Sequence, residues 1–320
     1  MSHSPQCRIC HSNITSFYSV KEMMYGLQGI FNYHLCKECH CLQLSDVPAN
    51  LSDYYPKNYY SYSNSLKKRP FKNWQRSLKR RIILQHSSIF SSLFSFLIQS
   101  QSMFWTYRKL GIRKQATVLD VGSGSGSHVL ELRSAKIDAL GIDPFIEQDI
   151  MINDALLVKK GALNDLDKKF DLICFHHSFE HIVEQLKTLL HAKERLKSGG
   201  KILIRIPTTS SWAFDEYQEH WVQLDAPRHI FLHSHESIKL LAKQAGLIVK
   251  DIWCDSSEFQ FIGSEQYKKG ITLLDPKSYY VNKKTSIFSK AAIKQFQIKA
   301  HQANESLKGD QICVVLEIQP

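Results

Sequence analysis

Long uninterrupted apolar runs are missing from this 320-residue chain. The most apolar window, 82–98, is broken by Gln85, His86, Ser87, Ser88, Ser91, Ser92 and Ser95. A bilayer-spanning helix, which needs roughly 20 apolar residues, is therefore not expected. A secretory leader is not expected either, because Ser2, His3, Pro5 and Gln6 form no apolar segment. Without one, the eight cysteines are expected as reduced thiols and the compartment as the cytoplasm. No internal repeat and no low-complexity tract is found. At 43% hydrophobic and 22% charged residues, the composition does not describe a disordered chain. Acidic residues are the scarcer sign, 30 against 41 Lys and Arg, which leaves +11. Such an excess suits nucleic acid, anionic lipid or a phosphorylated substrate. Much of it sits in one run: Lys67, Lys68, Arg69, Lys72, Arg76, Lys79, Arg80 and Arg81. The run reads as a solvated helix face or as a binding patch. With the apolar window behind it, the stretch 67–98 either lies against a membrane interface or, more simply, packs on the rest of the chain.

The length suits one large domain and a small one. Five of the eight cysteines fall in residues 1–50. Residues 51–115 are Tyr- and Ser-rich, then basic, then apolar, and read as a helical linker. From 116 onward, strand-like and helix-like patterns alternate, the signature of β/α units. Strands are expected at Thr117–Val121, Ala139–Ile142, Phe170–Phe175, Lys201–Ile206, Leu247–Trp253 and Ile312–Ile318. Helices are expected at Ser127–Ser134, from about Val183 to Leu196, and at Glu236–Ala245. Ser198-Gly199-Gly200 reads as the stop of the second of these helices and Gly246 as the cap of the third.

The strongest local signal is Val118-Leu119-Asp120-Val121-Gly122-Ser123-Gly124-Ser125-Gly126. A buried strand runs into three alternating glycines, which permit positive φ and a close ligand approach. An open α/β sheet binds its ligand outside the carboxyl ends of its strands. Asp143 ends the next strand, 21 residues after Gly122. That is about the spacing, roughly 20 residues, at which a carboxylate meets ribose hydroxyls. A dinucleotide fingerprint would need glycine or alanine where Ser127 stands. Asp120 would also repel a pyrophosphate, whereas a ligand carrying an ammonium would tolerate it.

These residues resemble a class I S-adenosylmethionine-dependent methyltransferase. The resemblance covers 117–206. It rests on the Leu-Asp-Val-Gly-Ser-Gly-Ser-Gly loop, Gly141-Ile142-Asp143, Phe170-Asp171-Leu172-Ile173, Phe179-Glu180-His181-Ile182 and Leu196-Lys197-Ser198-Gly199-Gly200. In the last piece the family usually has proline at the position of Ser198. The resemblance implies a doubly wound, Rossmann-like α/β fold over 116–320. Its seven-stranded sheet would have an antiparallel last strand near Ile312–Ile318. Asp120, Gly122, Ser123, Gly124 and Gly126 would flank the methionine part of the cofactor, Asp143 its ribose, and the stretch around Ala162 its adenine. Pro144 and His177 join this cofactor-binding set. His176-His177 with His181 is read as part of a cofactor or acceptor pocket in preference to a metal site.

Cys7-x-x-Cys10 and Cys36-x-x-Cys39 are two paired knuckles that suit one tetrahedral zinc. The 25 residues between the pairs exceed the common ribbon spacing. Cys41, His11, His34 and His40 are substitute ligands. A set of buried or redox-active thiols is the alternative. With the following Cys41-Leu42-Gln43-Leu44 and the tyrosines 54, 55, 59, 60 and 62, this segment resembles the front end of zinc-containing methyltransferases. Those act on nucleotide-linked sugars, surface polysaccharides and related metabolites. The group's sugar C-methyltransferases carry a longer C-terminal domain than this chain has room for.

On the acceptor side, Trp212–Tyr217 and Leu224-Asp225-Ala226-Pro227-Arg228-His229-Ile230 follow the expected strand that ends at Pro207. The second piece resembles the family's Pro-Arg-His-Leu element and points to His229 as base. A loop histidine that orders the segment and a substrate contact remain open alternatives. An imidazole near pKa 6.5 takes a hydroxyl proton readily. Tyr217, His220 and His181 are rivals. Arg228 would pair with an anionic group of the acceptor or with Asp225. The expected acceptor is thus a small molecule or glycan, most simply a sugar hydroxyl. An RNA methyltransferase that grips phosphates through the zinc module and basic run is the alternative enzyme. A scaffold without catalysis is the alternative outside enzymology. The oligomeric state is not readable.

Overall fold

Strand and helix positions follow the apolar patterning of the chain. The computed structural model describes residues 5–14, 16–56, 70–85 and 102–319. Tyr59, Tyr60, Tyr62, Lys67, Lys68, Arg69 and residues 86–98 of the apolar window lie outside the described residues. In chain order the elements are β1 Ser16–Lys21, β2 Ile30–Leu35, β3 Leu42–Leu44, α1 Pro70–Gln85, α2 Ser102–Lys109, β4 Thr117–Val121, α3 Ser127–Ser134 and β5 Asp138–Asp143. Then come β6 Ile150–Ile152, β7 Ala155–Lys160, β8 Phe170–His176, α4 Gln185–Glu194, β9 Leu196–Pro207, α5 Trp212–Tyr217, β10 Phe231–Leu232, α6 His235–Gln244, β11 Leu247–Cys254, α7 Phe259–Lys268, α8 Lys290–Glu305 and β12 Gln311–Ile318.

The chain divides into two units. One comprises residues 57–176 and 190–203. Its strands run in the order β9-β8-β4-β5-β7-β6. β4 pairs in parallel with both β5 and β8, and β5 with β7, while β6 folds back antiparallel on β7. Val118, Leu119, Leu172 and Ile173 are fully buried, as the near-continuous apolar runs of a parallel sheet covered on both faces require. The loops at the carboxyl ends of β4 and β5 therefore leave the sheet at neighbouring points.

The described part of the basic and apolar linker belongs to this unit. Ile83 and Leu84 of α1 are buried, and Arg108 of α2 donates to the Ile83 carbonyl. Arg80 is buried too. It pairs with Glu131 and lies over the Phe104 ring. At Arg80 the basic run is thus neither a solvated face nor an open patch.

The other unit comprises residues 1–56, 177–189 and 204–320. β11 and β12 pair antiparallel. β12 is the antiparallel strand expected near Ile312–Ile318, and β6 is a strand that was not expected. A second sheet, β1-β2-β3-β10, joins the cysteine segment to residues 231–232. One expectation is corrected. Ser198-Gly199-Gly200 does not stop the helix: α4 ends at Glu194 and β9 already begins at Leu196. Gly199 has φ +72°, and a Cβ on Gly200 would press at 3.0 Å on the Phe170 and Lys197 carbonyls. The glycines serve an irregular strand entry.

Candidate active site

The glycine loop has the backbone its sequence demands. Gly122, Gly124 and Gly126 have φ of 73°, 51° and 74°. A Cβ on Gly126 would stand 2.6 Å from Val158 and 2.8 Å from Leu157, so only glycine lets α3 start so close to β7. Asp143, at the end of β5, latches the loop. One carboxylate oxygen accepts from the Gly124 amide at 2.9 Å and the other from the Phe145 amide at 2.8 Å. Each oxygen keeps accepting capacity for a hydroxyl. Asp120 is 4% exposed, and burial together with Asp143 pushes its carboxyl up to about 8. A cationic ligand group beside it would be drawn in. The buried Ser123 hydroxyl has no hydrogen-bond partner among the described residues. These features fit S-adenosylmethionine: a cradle that a Cβ would fill, an orphaned hydroxyl, and a buried acid awaiting a cation. Pro144 and Ala162 are exposed, with the Ala162 amide turned to Asp165.

Behind the loop stands a group the sequence reading missed. Tyr107 of α2 is fully buried, with its hydroxyl 2.5 Å from His128 Nε2 and 2.7 Å from His176 Nε2. His128 stands two residues after Gly126, and that proximity was the available signal.

In the other unit, the turn after β8 and the segment before β10 meet. The Ile230 amide donates to the Glu180 carbonyl, and His181 Nδ1 lies 2.8 Å from the Arg228 carbonyl. His177 and Asp225 at these turns hold φ of +50° and +37°, strained for residues other than glycine. Three potential ligand atoms of Glu180, His181 and His229 lie within 4.8 Å of one another. Glu180 is fully buried. Burial alone would raise its carboxyl, but the facing His177, His181 and His229 hold it down to about 2. His229 is pushed down to about 4, first by burial and then by His181. Its Nδ1 donates to the Gln223 carbonyl at 2.7 Å, so Nε2 carries the lone pair.

A family model described as a methyltransferase domain matches residues 98–251. The chain carries a methyltransferase domain. Solved structures similar to it include an S-adenosylmethionine-dependent methyltransferase from Archaeoglobus fulgidus. It is 17% identical, with 71% of this chain and 97% of that chain covered at a TM-score of 0.41. The cyclopropane synthase MmaA2 from Mycobacterium tuberculosis is 13% identical, with 79% and 99% covered at a TM-score of 0.43. No curated protein matches the chain.

The methyltransferase spends several of the expected acceptor-side residues on its own structure. Arg228 is fully buried. Its guanidinium pairs with Glu22 at 2.6 Å and Asp225 at 2.6 Å, and also donates to the Tyr54 carbonyl. Of its two expected partners, Asp225 holds it. Glu22, 206 residues away, carried no sequence signal. The Tyr217 hydroxyl donates to Glu265, and burial with Glu216 and Glu265 raises its pKa, so this phenol accepts no proton at neutral pH. His220 is exposed beside Glu219. His177 accepts from Arg205 at 2.7 Å in the same unit as His181.

The cysteine segment closes on itself. The Sγ atoms of Cys7, Cys10, Cys36 and Cys39 lie within 4.8 Å of one another. Cys7 and Cys39 are 3.6 Å apart, Cys10 and Cys36 3.4 Å. Zinc–sulfur bonds of about 2.3 Å in a tetrahedron imply sulfurs about 3.8 Å apart. Gln43 and the Ile9 amide donate to Cys7 Sγ. Cys41, His11, His34 and His40 stand outside this group.

Proposed function

We propose that the methyltransferase methylates a hydroxyl of a sugar, carried on a nucleotide or a polysaccharide, with His229 serving that hydroxyl. One observation carries the reading. His229 Nε2 is an unprotonated imidazole nitrogen, fixed by its Nδ1–H···O=C bond and buried at 6% exposure. The bound cofactor supplies an electrophilic methyl on a sulfonium. Asp143 would hold its ribose, Asp120 its ammonium and the glycine loop its methionine backbone. Hydroxyl methylation then requires relief of one proton, which a neutral imidazole beside an ionised carboxylate provides. Arg228 is committed internally, so an anionic group on the acceptor would need another partner.

One zinc on Cys7, Cys10, Cys36 and Cys39 belongs to the same proposal, in a structural role because four protein ligands leave no open position. A cytoplasmic setting belongs to it as well, supported by eight free cysteines. No helix among the described residues is long and apolar enough to cross a membrane.

The test is turnover of His229→Ala and His229→Gln on candidate sugar acceptors. We expect both to lose about 10²–10⁴-fold while cofactor affinity, read by calorimetry, stays within a factor of two or so of wild type. Wild-type turnover in both variants would move the role elsewhere.

A further inference from the structure

We propose that Glu180, His181 and His229 form a binding site for a divalent transition-metal ion, separate from the cysteine site. A carbonyl oxygen only accepts, so the nitrogen facing it carries the hydrogen. His229 Nδ1 faces the Gln223 carbonyl at 2.7 Å, and His181 Nδ1 faces that of Arg228 at 2.8 Å. In the neutral form of each ring, Nε2 is then the nitrogen free to bind a cation. An imidazole held by its far N–H on a backbone carbonyl is the arrangement that orients metal-ligating histidines.

The third member is a carboxylate. Glu180 is fully buried, and neither of its oxygens has a hydrogen-bond partner of acceptable geometry among the described residues. Leaving a buried charge in that state is costly. The neighbouring side chains reach it only at long range. His177 Nε2 accepts from Arg205, which can only donate, so its Nδ1–H faces Glu180 from a long 3.4 Å. His229 Nε2 stands 3.8 Å from the same oxygen and 3.8 Å from Asp225. Ligand atoms of the three side chains thus lie within 4.8 Å of one another around a buried carboxylate that lacks a well-formed hydrogen bond, and a cation would satisfy all three. For zinc bonds of about 2.0–2.2 Å, tetrahedral ligand atoms sit about 3.4 Å apart. The 3.8 Å pair would close by under half an ångström.

Two imidazoles and one carboxylate, with no thiolate, suit zinc or another first-row divalent ion and leave positions open for an oxygen ligand. An ion there would lower the pKa of a bound hydroxyl or water, whose proton leaves to solvent. His229 Nε2 would then serve the hydroxyl as a metal ligand, not by taking its proton. That consequence rests on the acceptor reading, whereas metal uptake itself does not.

The test is equilibrium dialysis of the full chain against micromolar free zinc, with metal counted per chain and cysteine accessibility measured by a thiol reagent. Wild type should hold two ions. Glu180→Gln and His181→Gln should each hold one, with Cys7, Cys10, Cys36 and Cys39 still protected. A single wild-type ion that the variants lose, with those thiols reactive, also supports this site and rejects the cysteine site instead. No ion, one ion with protected thiols in wild type, or undiminished binding in both variants overturns the inference. Should Glu180→Gln fail to fold, the half-buried His181 carries the test.

Discussion

At the scale of single residues, the methyltransferase uses carboxylates in opposite ways. Asp143 is satisfied by two amides, whereas Asp120 is buried with its carboxyl raised to about 8. Glu180 is buried and held down to about 2 by the facing histidines, although its oxygens have no well-formed hydrogen bond among the described residues. Asp143→Ala removes the acceptors of the Gly124 and Phe145 amides along with the proposed ribose contact. We expect S-adenosylmethionine binding to weaken by about 1.5–3 kcal/mol, the range for a hydrogen bond to a charged group. Titration calorimetry at constant pH measures it, and unchanged affinity would remove Asp143 from the site. Asp120, Asp143 and the glycines were legible because a strand, a tight turn and a helix start follow one another along the chain. Tyr107 and Glu22 were not, because their partners are 21 to 206 residues away.

Among the elements, the cysteine segment shows how a local motif acquires distant supports. β3 pairs with β10, the Leu44 amide donates to Ile230, and the Tyr33 hydroxyl donates to the His229 carbonyl. Ser234 donates to the Cys39 carbonyl. Metal binding contributes folding energy where the ligands sit. Chelating the proposed zinc should therefore raise hydrogen exchange in residues 16–44 and also in 229–234, with β4 and β8 unchanged. Exchange that rises evenly over the chain would separate the cysteines from local order. Knuckle spacing revealed the four cysteines, but β10 is only two residues long and carries no periodicity of its own.

For the molecule as a whole, buried neutral histidines tie stability to pH. His233 is fully buried between Gln185 and Ser237, and burial pushes it down to about 3. Its folded pKa lies below the unfolded value of about 6.5. The stabilisation is therefore complete above about 6.5 and is lost as pH falls from there towards 3, because the unfolded chain takes up the proton first. The loss is on the order of a few kcal/mol. Melting temperature followed from pH 7 to 4 should fall in wild type and less steeply in His233→Gln, and identical slopes would deny the histidine this role. The sequence by itself determined the α/β class, the glycine loop with its two acids, and the cysteine knuckles. Each depends on residues a few positions apart, where backbone sterics and helix or strand period act directly. Tertiary structure alone decided that Arg228 is an internal ion-pair partner, that Arg80 is buried against Glu131, and that Glu180 meets His181 and His229. Those outcomes are set by desolvation and by partners brought from distant parts of the chain, which no local spacing encodes.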